Sequence, residues 1–431
     1  MSEQAAVFQA EVFQNEYLPA GASIVDAVVT VTASGEGLAG ATAAPPSMAE
    51  VIMIDCSGSM GDPPTKMSEA RRATAAAIDA LRDGVSFAIV AGTTEATMVY
   101  PSTPTLVPAT TGRRNSAKQA VKQLTANGGT AMGQWLDLAN QIFATSDAEV
   151  KHAILLTDGR NQHESVEELT AVLNRCEGLF VCDSRGVGAD WSGSELRRIA
   201  STLLGTADGL PDPAELVPDF QAMTQGAMGK AVADVSLRLW TPAGATIRFV
   251  KQVFPQMEDL TPRRRDVSAR VGDYPLGPWG AESRDYHVSV QVDAGAVGEE
   301  MLAARISLVS GDEVLSQGLV RAVWTDDTAL STRINQRVAH YTGQAELADA
   351  IQEGLAAREA GDVQTATARL GRAVQLAEES GHADTAKLLA KVVDVVDAKT
   401  GTVRLRQRVA GVDAELANVR SVKTIRVESG E

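Results

Sequence analysis

Aromatic side chains are scarce in this 431-residue chain, at 4% of the total, and cysteine occurs three times. Cys56, Cys176 and Cys182 make no disulfide framework, which points to a reducing, cytoplasmic setting. Basic residues are in deficit as well. Lys and Arg number 39 against 55 Asp and Glu, for a net charge of -16. Nucleic acids and anionic membranes are bound through clustered Lys and Arg, so neither is an expected partner. Cations or basic partners suit such a chain better. The one dense basic cluster, Arg263-Arg264-Arg265, is followed by Asp266 and reads as a solvated loop. No apolar run approaches the roughly 20 residues of a transmembrane helix. The start, "MSEQAAVFQAEVFQ", has neither the basic nor the apolar region of a signal peptide, so none is expected. A Gly-Lys-Ser/Thr phosphate loop and a specific Ser-His-Asp set are missing too.

What is present is globular. Hydrophobic residues make up 44% and charged residues 22%, and the length suggests roughly two or three domains. Residues 1–46 carry strand-like pieces, "AVFQAEVFQN" and "SIVDAVVTVTAS", before a loose "GLAGATAAPPS" linker. Two strands cannot bury a core alone, so they must pair with something further along. Over 48–230, buried strands such as "EVIMIDCS" and "VKHAILLTDG" alternate with helices of 10 to 15 residues. That pattern predicts a doubly wound, mainly parallel sheet covered on both faces. Over 231–325 helical periodicity vanishes, and five strand-like runs between turns predict an antiparallel β-sandwich that the N-terminal strands complete. Over 326–394 three helices with glycine turns at Gly361 and Gly381 predict a packed helical hairpin or bundle. No second copy of a helical repeat is present, as a solenoid would need. The stretch 395–431, with a weak "TVRLRQRV" strand and a polar end, is left as a tail. The expected architecture is therefore α/β: a Rossmann-like domain inserted in a sandwich, followed by C-terminal helices.

The chemistry gathers where two buried strands end. Ligands of open parallel sheets sit beyond the carboxyl ends of the strands, where strand order reverses. Asp55 ends the first long strand and begins "DCSGS"; Asp158 ends another in "LLTDG"; Thr130 sits in "NGGTAMGQ" just before a helix. One loop cluster can thus assemble Asp55, Ser57, Ser59, Thr130 and Asp158. These are hard oxygen donors, suited to Mg²⁺, Mn²⁺ or Ca²⁺ and not to zinc. Two carboxylates balance a divalent charge, while neutral hydroxyls leave the ion electrophilic. Gly58 is expected to let the loop curl. Mg²⁺ usually keeps some water among its six ligands, so a spare position could accept a carboxylate from another molecule.

In this order, "DCSGS", "GGT" and "TDG" resemble the metal ion-dependent adhesion site of von Willebrand factor A domains, whose pattern is D-x-S-x-S, then Thr, then Asp. Asp55, Ser57, Ser59, Thr130 and Asp158 match it position by position, and the resemblance covers about residues 48–230. It implies that the serines and the threonine coordinate the ion, that the aspartates often act through water, and that a partner's Asp or Glu completes the shell. The whole arrangement is similar to cytoplasmic actinobacterial proteins of this family, and proteins resembling it often belong to bacterial signalling or stress systems, an association that rests on family alone. The function implied is a metal-dependent protein-binding scaffold and not an enzyme. The alternative is a metal-dependent phosphohydrolase using the same oxygens. That chemistry wants a second carboxylate two residues after Asp55, where this chain has Ser57. Other residues have plainer readings. Cys56 lacks a neighbouring His, Cys176 and Cys182 read as small apolar residues, His163 as a polar loop residue, and Trp135 as core.

Overall fold

The structure, a computed structural model, describes residues 8–34 and 46–426. Most of the "GLAGATAAPPS" linker and the last residues of the tail lie outside the described residues. The chain divides into two compact units. One takes the described residues within Met1–Ala44, Asp234–Arg406 and Ser421–Glu431; the other takes those within Pro45–Ala233 and Gln407–Arg420.

The first unit begins with β1 (Phe8–Gln14), β2 (Tyr17–Pro19) and β3 (Ile24–Ala33). The chain then builds the second unit from seven strands: β4 (Met48–Asp55), β5 (Ser86–Gly92), β6 (Ala96–Tyr100), β7 (Val107–Pro108), β8 (Val150–Thr157), β9 (Val181–Val187) and β10 (Ala207–Leu210). Between and after them come α1 (Thr65–Ala80), α2 (Thr111–Val121), α3 (Met132–Phe143), α4 (Val166–Cys176), α5 (Gly193–Thr202) and α6 (Leu216–Met228). Strand order is β10-β9-β8-β4-β5-β6, with β7 also on β5. The five strands β10 to β5 run parallel; β6 and β7 are antiparallel to β5.

All eight residues of β4 are buried, the near-continuous apolar run expected of a strand covered on both faces. Ile52 and Ile54 pack with Ala70, Ala77 and Ile78 of α1 and Phe220 and Met223 of α6. Val51 and Met53 alternate to the opposite face. From β4 the chain moves to one side, to β5 and β6, and then crosses to β8 on the other side. The crevice between β4 and β8 is thus the place where strand order reverses, and Asp55 and Asp158 stand at its mouth.

The first unit resumes with β11 (Val232–Trp240), β12 (Thr246–Phe254), β13 (Glu258–Asp259), β14 (Arg265–Ser268), β15 (Val271–Trp279), β16 (Ser283–Gln291), β17 (Glu300–Ser310) and β18 (Glu313–Thr325). One sheet has the order β1-β3-β16-β12-β13 and the other β14-β15-β11-β17-β18-β2. β3 pairs antiparallel with both β1 and β16, so strands far apart in sequence share a sheet. Sequence periodicity missed β15, "VGDYPLGPW", because two prolines and two glycines argue against a strand. Proline is tolerated there because β14 pairs only with Val271–Asp273, which leaves Pro275 and Pro278 clear of that neighbour's ladder. The Arg263–Arg265 run is only in part the solvated loop expected: Arg263 is largely buried on Glu258, Arg264 pairs with Asp266, and Arg265 opens β14.

Helices α7 (Thr328–Ser331), α8 (Gln336–Glu359), α9 (Val363–Glu379) and α10 (Ala383–Val392) follow, then β19 (Val393–Asp397), β20 (Thr402–Leu405) and α11 (Gly411–Arg420). Val338 and Tyr341 of α8 pack with Val28 of β3 and Val253 of β12, so the helical stretch shares its core with the strands. The stretch left as a tail departs from expectation. β19 and β20 form an antiparallel pair, and α11 returns to the second unit. A ten-residue helix that opens on glycine is marginal alone and carries little sequence signal. Here it gains stability by burying Leu416, Ala417 and Val419 and by the Arg420 Nε–Asp208 Oδ1 pair at 2.7 Å. Among the described residues, no helix is long and apolar enough to cross a membrane.

Candidate functional site

Asp55, Ser57, Ser59, Thr130 and Asp158 come together at the carboxyl ends of β4 and β8. Backbone hydrogen bonds build the mouth. Cys56 N–H donates to Gly92 O at 2.7 Å, Gly58 N–H to Gly128 O at 2.9 Å, and Asn127 N–H to Cys56 O at 2.7 Å. The loop after β4 is thereby zipped to β5 and to the loop that carries Thr130. Gly58 does not play its expected part. It has no left-handed φ, and a Cβ there would meet only Gly128 O at 3.6 Å. Its backbone N–H, which any residue but proline supplies, is what the loop uses.

Asp55 is fully buried. Its Oδ1 accepts from Ser57 N–H at 2.7 Å, and its Oδ2 from Thr157 Oγ1 at 2.6 Å. Burial pushes its carboxyl up to about 6; the hydrogen bonds from Ser57 and Thr157 oppose that rise, and the nearby Asp158 charge adds to it. Ser57 and Ser59 hydroxyls stand 3.0 Å apart, and Ser59 Oγ donates to Asp158 Oδ1 at 2.7 Å. Thr130 Oγ1 and Ser59 Oγ both lie over Gly159, 3.4 and 3.7 Å from where its absent Cβ would stand. Ser59 is exposed while the other four are buried, so the cluster opens to solvent on the Ser59 side.

This donor set fits a hard divalent cation. Adjacent oxygens of an octahedral shell with ligands at about 2.1 Å lie about 3 Å apart, and the two serine hydroxyls have that separation. Among the described residues there is no group of three or more His, Cys, Asp or Glu that could hold a metal. The candidate centre therefore depends on hydroxyls.

Several residues that sequence reasoning left aside shape the site. The "DGRNQHES" loop after β8 holds the Thr130 loop in place. His163 Nδ1 accepts from Thr130 N–H, and His163 N–H donates to Thr130 O, both at 3.1 Å. Ala131, the residue before α3, offers no side-chain cap. The first N–H groups of α3 are met instead by Asn161 Oδ1, which accepts from Met132, and by Glu164 Oε1, which accepts from Gly133. His163, Asn161 and Glu164 lie within six residues of Asp158, the one signal that pointed to them. Lys66 gave none. Its Nζ lies 2.8 Å from Asp158 Oδ2, and both side chains are buried. The three cysteines are free and buried; burial pushes the Cys56 thiol up to about 12 and Cys176 up to about 11, away from nucleophile chemistry.

Trp135 is fully buried in α3, and its Nε1 donates to Thr93 O at 2.7 Å. Its ring covers Gly92, where a Cβ would come within 2.3 Å. Gly92→Ala is expected to destabilise the chain by about 1–3 kcal/mol through overpacking. Gly112→Ala, with open space around it, should stay within about 0.5 kcal/mol of the parent. Urea denaturation of the two variants checks this; equal effects would refute it.

Residues 50–208 match the von Willebrand factor type A domain, and residues 375–421 match the von Willebrand factor type A C-terminal domain. The solved structure of von Willebrand factor type A from Catenulispora acidiphila is similar throughout: 52% identity, 99% of each chain covered, TM-score 0.92. The ArnB paralog VWA2 from Sulfolobus acidocaldarius shares the fold at 13% identity, covering 97% of this chain and 98% of that one, with a TM-score of 0.56. Proximal thread matrix protein 1 from the mussel byssus, solved with a zinc-occupied MIDAS motif, is 24% identical over 42% of this chain and 46% of its own, with a TM-score of 0.36, a likeness too slight to carry over. No curated protein matches the chain. With a relative 52% identical along 99% of its length, the chain belongs to the von Willebrand factor type A family.

Proposed function

We propose that this protein is a divalent-cation-dependent protein-binding scaffold, and that Ser57, Ser59, Thr130, Asp55 and Asp158 form a metal ion-dependent adhesion site. The ion is Mg²⁺, with Mn²⁺ or Ca²⁺ as substitutes, and it supplies an electrophilic position for an Asp or Glu carboxylate of a partner protein. The observation that carries this reading is the meeting of three hydroxyls and two carboxylates at the switch point, with the two serine oxygens 3.0 Å apart. In this reading Ser57, Ser59 and Thr130 are direct ligands. Asp55, both of whose oxygens already accept hydrogen bonds, holds the loop and acts on the ion through water. We read the two larger, mainly antiparallel sheets of the first unit, in which only the β18–β2 pair among the described strands is parallel, as a sandwich into whose sequence the A domain is inserted. The free, buried cysteines accord with a reducing cytoplasm, and the Catenulispora relative with a bacterial origin. Phosphoester hydrolysis, the other reading, finds a hydroxyl at Ser57 where it wants an acid–base carboxylate.

Thermal unfolding tests this. The chain is melted in EDTA, and then with Mg²⁺, Mn²⁺ or Ca²⁺ raised stepwise with acetate present as a stand-in carboxylate. An ion at about 100 times its dissociation constant should stabilise the folded state by roughly 2.7 kcal/mol. Asp55→Ala and Thr130→Ala should each abolish that gain. A gain that survives both substitutions, or none with any ion, refutes the reading.

A further inference from the structure

Lys66 is the second residue of α1. A cation in the first turn of a helix faces the positive end of the backbone dipole, and a buried ammonium is costly unless paired. Helix chemistry therefore does not account for its place. Its side chain is only 6% exposed, and Nζ sits 2.8 Å from Asp158 Oδ2 and 3.5 Å from Ser59 O. The stem runs beside Gly188, where a Cβ would come within 2.9 Å of Cε. The other oxygen of Asp158 accepts from Ser59 Oγ. One carboxylate is thus shared between a fixed ammonium and the hydroxyl cluster.

We propose that Lys66 sets the cation affinity of this site in two opposed ways: its charge weakens the hold on a divalent ion alone and strengthens the hold of the ion-loaded site on an acidic ligand. The inference rests on the reading of the five residues as a metal site. Charge counting gives its sign. Two carboxylates and one ammonium leave the cluster at one net negative charge. A divalent ion brings it to one positive charge, and a ligand carboxylate brings it to neutrality. Without Lys66 the ion alone would already neutralise the cluster, and an acidic ligand would gain less. At separations of about 4–6 Å, even under water-like screening, a unit charge changes divalent-ion affinity roughly tenfold and carboxylate affinity roughly threefold. The ion-only state is thereby disfavoured roughly tenfold, and a bound acidic ligand recovers roughly threefold of that.

Mn²⁺ titration of the full-length chain by calorimetry, repeated over a series of acetate concentrations, tests this in the parent, Lys66→Gln, Lys66→Arg and Asp55→Ala. Lys66→Met serves should the glutamine variant not fold. The expected result for Lys66→Gln is Mn²⁺ bound about tenfold or more tightly, with acetate held about threefold or more weakly by the loaded site. Lys66→Arg, which keeps the charge, should stay near the parent in both. Equal Mn²⁺ affinity in parent and Lys66→Gln, or a change of the same sign for Mn²⁺ and acetate, overturns the role of Lys66 and leaves the metal site standing. No Mn²⁺ binding in either, or binding that Asp55→Ala leaves intact, removes the metal site and this inference with it.

Discussion

His152→Ala is expected to cost the folded chain about 3–5 kcal/mol near neutral pH, among the largest effects of any single substitution, although His152 lies outside the candidate site. His152 stands third in β8, with Glu50 third in β4 as its cross-strand neighbour and Asp183 third in β9. Its Nδ1 lies 2.9 and 3.0 Å from the two Glu50 oxygens, and its Nε2 3.1 Å from Asp183 Oδ2. Glu50 is fully buried. Removing the imidazole strands the Glu50 carboxylate in the sheet, while Asp183 keeps its hydrogen bonds from Thr206 N–H and Oγ1; an uncompensated buried charge carries that order of penalty.

The pH dependence follows from the pairing. Burial works against a charged His152, but the Glu50 charge and the hydrogen bonds to Asp183 and Glu50 outweigh it and push the ring up to about 10 from 6.5. Burial would raise Asp183 too, yet the hydrogen bond and charge of His152 hold its carboxyl well below the usual range. Burial lifts Glu50 against the pull of His152, which offsets part of the gain once pH passes its ordinary 4.5. A raised histidine stabilises fully below its unfolded value and loses that contribution as pH rises through the folded one. Parent stability should therefore fall between pH 6.5 and about 10, and the deficit of His152→Ala should narrow over the same range. Urea denaturation across that window is the check; a constant deficit would show that the ring is held neutral.

Arg426→Ala should cost about 3 kcal/mol, at the lower end of the same range because the guanidinium is partly exposed. Asp285 of β16 is fully buried. Arg426 grips it with Nη2 to Oδ1 at 2.6 Å and Nε to Oδ2 at 3.1 Å, reaches Ser283 Oγ at 2.9 Å, and lies 4.5 Å from the Phe254 ring centroid. Tyr341 OH also donates to Asp285. Removing the arginine leaves the carboxylate with the tyrosine as its chief partner. A double-mutant cycle with Asp285→Ala separates pairing from packing. The double variant should be less unstable than the sum of the two single ones; strict additivity would mean that the pair carries no coupling.

The candidate site was legible because its signal is local. "DCSGS" places three of its oxygens within five residues of a strand end, and "TDG" and "GGT" place the others next to a second strand end and a helix start. Apolar runs of seven or eight residues announce buried parallel strands, and the ligand position follows from such a sheet. The strands β4 and β8 were readable for that reason. β15 was not, because its prolines contradict the strand pattern, nor was α11, because its stability comes from the surface it docks on.

The α/β class of the middle of the chain and the oxygen chemistry at its strand ends are written locally, since periodicity and short loops are properties of neighbouring residues. Which distant charges meet depends on how the strands are ordered and the helices packed. Lys66 with Asp158, Glu50 with His152, and Asp285 with Arg426 lie 92, 102 and 141 residues apart. Such pairs form because strand order and helix packing bring them within about 3 Å, and in a buried setting each charge must find a partner there. No local pattern encodes that requirement, and it is where the stability of the fold and the charge balance of the site are set.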